Sequence, residues 1–190
     1  MTRPILAGLF ALTALLPAIA AHADDIADKA ALCAACHGEA GVPADKSIPV
    51  IWGQNEAYLN LELRDYKLGT RRNATMEQVV LDLEKADMQA LAAYFAAKPW
   101  PGLDQPAASG DVARHAEAVA TTIGCNGCHL AEWQGNDTTP RLGGQGRQYL
   151  HDTMMQIRDG TRANNPAMTA LLKTSSDSDI DALAQFLAGR

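Results

Sequence analysis

The sequence predicts an all-α chain built from two copies of one helical unit in tandem, and three observations carry that reading. Residues of the first half recur in the second: Cys33, Cys36 and His37 as Cys125, Cys128 and His129, at an offset of 92. At an offset of 91, Pro49, Gly53, Gln54, Tyr58, Leu59, Gly69, Thr70 and Arg71 recur as Pro140, Gly144, Gln145, Tyr149, Leu150, Gly160, Thr161 and Arg162. The offset then returns to 92 for Met76, Asp87, Leu91 and Tyr94, which match Met168, Asp179, Leu183 and Phe186. Apolar residues fall at helical spacing, and no convincing strand pattern appears. Each copy carries a Cys-x-x-Cys-His run, and no cysteine is left over.

The chain opens with Arg3, an apolar run from Ile5 to Ala20 and Ala21-His22-Ala23, the pattern of a cleavable signal peptide over 1–23. The run is shorter than the roughly 20 residues a membrane-spanning helix needs, so no transmembrane helix is expected in the mature chain from Asp24 onward. No cysteine follows the segment to take a lipid anchor. Losing Arg3 takes the net charge from -6 to -7. That mild acidity, with no basic patch or motif, excludes nucleic acid as the expected partner.

In the first copy (24–98) a helix is expected from about Asp25 to Cys36, with Ile26, Ala30 and Cys33 on one stripe. A loop with Pro49 follows, then a helix over about 56–68, capped by Asn55 and stopped by Gly69. Met76 falls in an irregular segment. The last helix starts behind Asp87, buries Met88, Leu91, Ala92 and Phe95, and ends before Pro99. Residues 99–110, rich in proline and glycine, read as an extended linker that Trp100 pins against a domain.

The second copy (111–190) repeats this order. Its first helix is expected over about 111–128, with Val112, Ala116, Val119 and Ile123 facing inward, and the next runs over about 146–159 before Gly160. Met168 again follows in an irregular segment. The last helix buries Ile180, Leu183, Ala184 and Leu187 behind a Ser176-to-Asp179 capping pattern.

A Cys-x-x-Cys-His run is the attachment site of a c-type haem, so two copies predict two covalently bound haem c groups. On a helix, positions i, i+3 and i+4 share a face, which lets both thiols reach one porphyrin while the histidine rises to the iron. A zinc ribbon would bring its cysteine pairs within about 15–20 residues, far less than Cys36 to Cys125. A thioredoxin-like pair would want a strand context, and disulfides stay open as an alternative. Units this small are marginal without a staple, which a covalent haem supplies.

With His37 and His129 on one side of each iron, the opposite ligand sets the chemistry. His37 is the only histidine in residues 24–98, so bis-histidine ligation within the first copy is excluded. Met76 and Met168 each lie 39 residues after their histidine and are the expected ligands. Met88 sits on an apolar stripe, and Met154 and Met155 have no methionine counterpart in the first copy, so core packing is their expected role. His115 and His151 are likewise unmatched and read as surface or haem-edge residues.

These motifs, with Gly38 after the first, Pro49-x-x-x-Gly53-Gln54, Tyr58-Leu59, Gly69-Thr70-Arg71 and Met76, each but Gly38 present twice, resemble the cytochrome c4 family of di-haem cytochromes over almost the whole mature chain. The resemblance implies two tandem class I cytochrome c-like domains and a periplasmic carrier of single electrons. Its partners would be a quinol-cytochrome c reductase and a terminal oxidase, with peripheral membrane association compatible. It further implies that the carbonyls of Pro49 and Pro140 accept a hydrogen bond from the proximal histidines, and that Tyr58, Tyr149, Arg71 and Arg162 are candidate haem contacts. Trp52 stands where the family leads one to expect a smaller residue, and the segment between Gly160 and Met168 is one residue longer than its counterpart.

A cytochrome subunit of a periplasmic dehydrogenase, such as a flavocytochrome c sulfide dehydrogenase, is the second reading. Peroxide reduction or thiosulfate oxidation is the third. It needs an open iron face or a thiol beyond the haem motifs, and the sequence offers no such thiol.

Overall fold

The computed structural model describes residues 18–190, with side chains from Asp25 onward, so most of the expected signal segment lies outside the described residues. The first half contains α1 (Ala18–His37), α2 (Glu56–Leu68), α3 (Ala74–Val79) and α4 (Lys85–Ala96). The second contains α5 (Gly110–Ile123), α6 (Asn126–His129), α7 (Arg147–Arg158), α8 (Pro166–Leu172) and α9 (Asp177–Ala188). Among the described residues there is no strand, only an isolated bridge between Asn136 and Thr139. In each half the last helix is the hub, α4 packing on α1 and α2, α9 on α5 and α7.

Two separate apolar clusters form. One gathers Ala30, Leu59, Val80, Leu83, Met88, Leu91, Ala92 and Phe95; the other centres on Ala116, Leu150, Leu172, Ile180, Leu183 and Phe186. Leu91 and Leu183, repeat counterparts, are almost fully buried, and each such side chain stabilises its half by roughly 1.5–3 kcal/mol. The stripes expected on α4 and α9 are the ones buried, with Ala182, Phe186 and Ala188 added on α9.

Four local expectations need correction. The first helix of the second half does not reach Cys128: Gly124 turns left-handed (φ 83), the amides of Gly124 and Cys125 both donate to Ala120 O, and the motif sits on the separate turn α6. Leu32 holds the same place in the first half, so α1 runs on without a break. Met76 and Met168 are not in irregular segments but at the third position of α3 and α8, where Asn73 and Asn165 accept from their backbone amides at 3.0 and 3.1 Å. Asp87 is not the cap of α4 but the inner partner of a capping box that opens with Glu84.

Asn55, finally, makes no side-chain cap; its amide donates to Gln134 O and Thr139 O in the other half. The segment between the halves is irregular, as its prolines require. Trp100 lies where a Cβ on either Gly53 or Gly144 would press on it, and the Arg141 guanidinium stacks 4.5 Å over its ring.

Candidate haem-binding sites

Each motif histidine ends a helix and is buried, His37 with 8% and His129 with 5% of its surface exposed. His37 Nδ1 lies 2.8 Å from Pro49 O and His129 Nδ1 lies 3.0 Å from Pro140 O. A carbonyl can only accept, so Nδ1 carries the proton and the Nε2 lone pair is left free in both rings. Burial lowers the pKa of both imidazoles; the proline carbonyls oppose it, and Arg71 adds to it at His37. Near neutral pH both rings are neutral, the form that binds a metal, and the bond at Nδ1 fixes which nitrogen does so.

The loop after His37 depends on Gly38, whose φ of 92 lets the chain turn back so that Ala44 N donates to Cys36 O. A Cβ there would collide with Val42 O. In the second half the matching residue is Leu130, held at φ 64 and ψ 173, a conformation close to glycine's preserve.

The thiols follow the same plan in both halves. Cys33 and Cys125 are half-buried, Cys36 and Cys128 exposed, and all four are free, which sets aside the disulfide alternative. Burial pushes the Cys33 and Cys125 thiols up. No group of three or more His, Cys, Asp or Glu side chains converges among the described residues, so the cysteine pairs do not meet as a zinc ribbon. Met76 and Met168 are half-buried against their own clusters, and the residue three places on, Val79 or Leu171, exposes an apolar side chain in both halves. Two thiols, a neutral imidazole with a free Nε2 and a half-buried thioether, beside uncovered apolar surface, fit a covalently held iron porphyrin in each half. Met88 and Met154 are buried in the cores, and His115 and His151 are half-exposed partners of Asp179 and Asp152.

The structure brings Tyr58, Tyr149, Arg71 and Arg162 together between the halves. Glu62 accepts from Arg71 Nη1 at 2.5 Å and from Arg162 Nη2 at 2.8 Å. Arg71 also reaches Tyr149 Oη and Arg162 reaches Tyr58 Oη, each at 3.3 Å, a crossed arrangement in which each arginine touches the other half's tyrosine. Burial drives the Tyr58 hydroxyl well above its ordinary range, whereas at Tyr149 the two guanidiniums outweigh the same burial and bring it down to about 8. Asn164 closes the cluster by donating to Asp65 at 2.8 Å.

Gln54 and Gln145 cross the interface too. Gln54 pairs with the backbone of Arg141 and Gln145 with that of Val50. Sequence reasoning found the glutamines as repeated residues but gave them no role. It missed Glu62 because its repeat counterpart is Thr153; the available signal was a carboxylate three residues after Leu59, on the buried face of α2.

No protein-family model matches the chain. It is 32% identical over 179 residues to a cytochrome c4 of Azotobacter vinelandii, covering 85% of each chain. It is 33% identical over 200 residues to a thiosulfate dehydrogenase electron acceptor of Stutzerimonas stutzeri, covering 96% of this chain and 93% of that one. Among solved structures, reduced recombinant cytochrome c4 from Pseudomonas stutzeri superposes with a TM-score of 0.78 at 29% identity, over 88% of this chain and 97% of that one.

Proposed function

The chain belongs to the cytochrome c4 family, di-haem c-type cytochromes that transfer electrons and are not enzymes, and from that premise we propose that it works in the periplasm, carrying single electrons from a quinol-oxidising complex toward a terminal oxidase. In this reading two cytochrome c domains, 24–98 and 111–190, flank the linker 99–110. Cys33 and Cys36, and Cys125 and Cys128, hold the haems; His37 with Met76, and His129 with Met168, bind the irons. Arg71, Arg162, Tyr58 and Tyr149, gathered between the halves, would be the further haem contacts.

The observation that carries the reading is the donor set, repeated on equivalent elements: a neutral imidazole whose Nδ1–H is given to a proline carbonyl, directly after a pair of free thiols. The haem supplies reversible one-electron exchange at its iron. The chain's residues do the rest. Pro49 O and Pro140 O orient each ring and raise its donor strength. Asn73 and Asn165 fix the helix turns that present the methionines, and a thioether ligand raises the potential. With a histidine and a methionine both held by each iron, no position would be left for substrate chemistry.

A second reading has specific support: a relative of equal identity is a thiosulfate dehydrogenase electron acceptor. Here the protein would accept electrons from a periplasmic dehydrogenase. Gel filtration of native extract separates the two, since a stable large complex favours the subunit reading. Ligation is tested by the ferric methionine-to-iron charge-transfer band, which Met76→Ala and Met168→Ala should each halve. A band at full strength in both variants would show that neither methionine is a ligand.

A further inference from the structure

The glutamines of the repeated Gly-Gln pair serve both halves: each Oε1 accepts from the amide of the residue that follows it, Asn55 N at 2.9 Å and Gly146 N at 2.8 Å, and each side-chain amide also pairs with backbone of the other half. Val50 N donates to Gln145 Oε1 at 2.8 Å, and Gln145 Nε2 donates to Val50 O at 3.0 Å. The mirror pairing joins Arg141 N to Gln54 Oε1 at 2.7 Å and Gln54 Nε2 to Arg141 O at 3.0 Å. Val50 and Arg141 are repeat counterparts, each directly after the proline whose carbonyl holds a motif histidine. Both glutamines are buried, with 3% and 2% of their surface exposed, so water does not compete for these bonds.

One peptide unit therefore carries both interactions. Its oxygen, Pro49 O, accepts from His37 Nδ1, and its N–H, that of Val50, donates to Gln145 of the other half. Donation from a peptide N–H polarises the unit and makes its oxygen a stronger acceptor, because linked hydrogen bonds reinforce one another. A stronger acceptor draws the Nδ1 proton away, makes the ring more electron-rich at Nε2 and favours the ferric state of the iron it binds. The same chain runs from His129 through the Pro140–Arg141 peptide to Gln54.

We propose that Gln145 and Gln54 are positioning residues acting in trans: Gln145 lowers the reduction potential of the first-domain haem, and Gln54 that of the second. Each domain's redox poise thus depends on the other domain being docked. The proposal rests on the reading of His37 and His129 as iron ligands.

The test is a potentiometric titration of purified holoprotein, with the two haems told apart by NMR of their hyperfine-shifted methyl groups. Gln145→Leu keeps the packing and removes the amide. The expected result is a rise of the first haem's potential by at least a threefold change in its reduction equilibrium, about 28 mV for a one-electron couple, with the second haem unmoved. Gln54→Leu should move the second haem alone. A shift in the haem of the mutated domain, equal shifts in both, or none would overturn the proposal.

Gln145→Glu, which retains and strengthens the acceptor for Val50 N–H, should shift the first haem downward. An upward shift there counts against the mechanism even if Gln145→Leu does not fold. His37→Gly, measured in parallel, should abolish the low-spin spectrum of the first haem. If it does while the glutamine variants are silent, the trans effect alone falls. If it does not, the ligation reading falls with it.

Discussion

Replacing Glu62 by glutamine keeps the shape of the side chain and removes the one carboxylate that joins Arg71 to Arg162. Glu62 lies at 2.5 and 2.8 Å from the two guanidiniums, and all three side chains are about 10% exposed. At a separation near 4 Å and an effective dielectric of about 20, each pair is worth about 4 kcal/mol of attraction before desolvation. Breaking such a buried pair by removing one partner typically costs about 3–5 kcal/mol, because the remaining charge is left uncompensated. Here two cations of like sign are left facing one another, which places the expected loss at the upper end of that range.

Urea unfolding of the holoprotein, followed separately by far-UV circular dichroism and the haem Soret band, reads the effect. With m of about 1–3 kcal/mol per molar urea, a loss of about 5 kcal/mol moves the midpoint down by more than about 1.5 M. Burial also makes the loss nearly independent of salt. A midpoint change worth less than about 1 kcal/mol would refute the reasoning and show that another anion already shares the arginines.

Leu130→Gly relieves a non-glycine residue at φ 64, where Gly38 stands in the first half, and should raise the thermal midpoint by an amount equivalent to about 1 kcal/mol. A lower midpoint would mean that the lost side-chain packing outweighs the strain. Acid sensitivity should come partly from two capping carboxylates. Asp87 is held below its ordinary value of 3.8 by Lys29 and by the Glu84 amide, and Asp179 by the Ser176 amide and hydroxyl and by His115. Because the folded values are depressed, their stabilisation is complete above the unfolded pKa of about 3.9 and fades as pH falls below it. The double variant Asp87→Asn, Asp179→Asn should therefore flatten the fall of melting temperature below pH 4, and an unchanged slope would exclude these groups as its source.

What the sequence disclosed, and what it withheld, follows from the range of the interactions. The core stripes of α4 and α9 were legible because helical spacing is a local property that burial then rewards. The short helices that present Met76 and Met168 are not legible, since fewer than two turns leave no periodicity to detect. The break at Gly124 is not legible, because apolar periodicity continues up to Ile123 and the repeat counterpart of this glycine is Leu32. The interface was the least legible part. Glu62 has no repeat counterpart, and the partners of Gln54 and Gln145 lie 87 and 95 residues away. The motif histidines follow from spacing alone, whereas their hydrogen bonds to the proline carbonyls depend on how the loop between them returns, which family likeness implies and local pattern does not.

The crossed glutamine pairing has the form of an isologous contact, in which a patch on one body meets the same patch on another. Two separate copies of a single half, related by a two-fold axis, could make these bonds without any covalent join. The strap through Trp100 then acts mainly on concentration, holding the faces together at an effective level on the order of millimolar or above. With the partner face always at hand, the two copies need not carry the same side chain at a shared position, and Glu62, opposite Thr153, serves the arginines of both halves by itself.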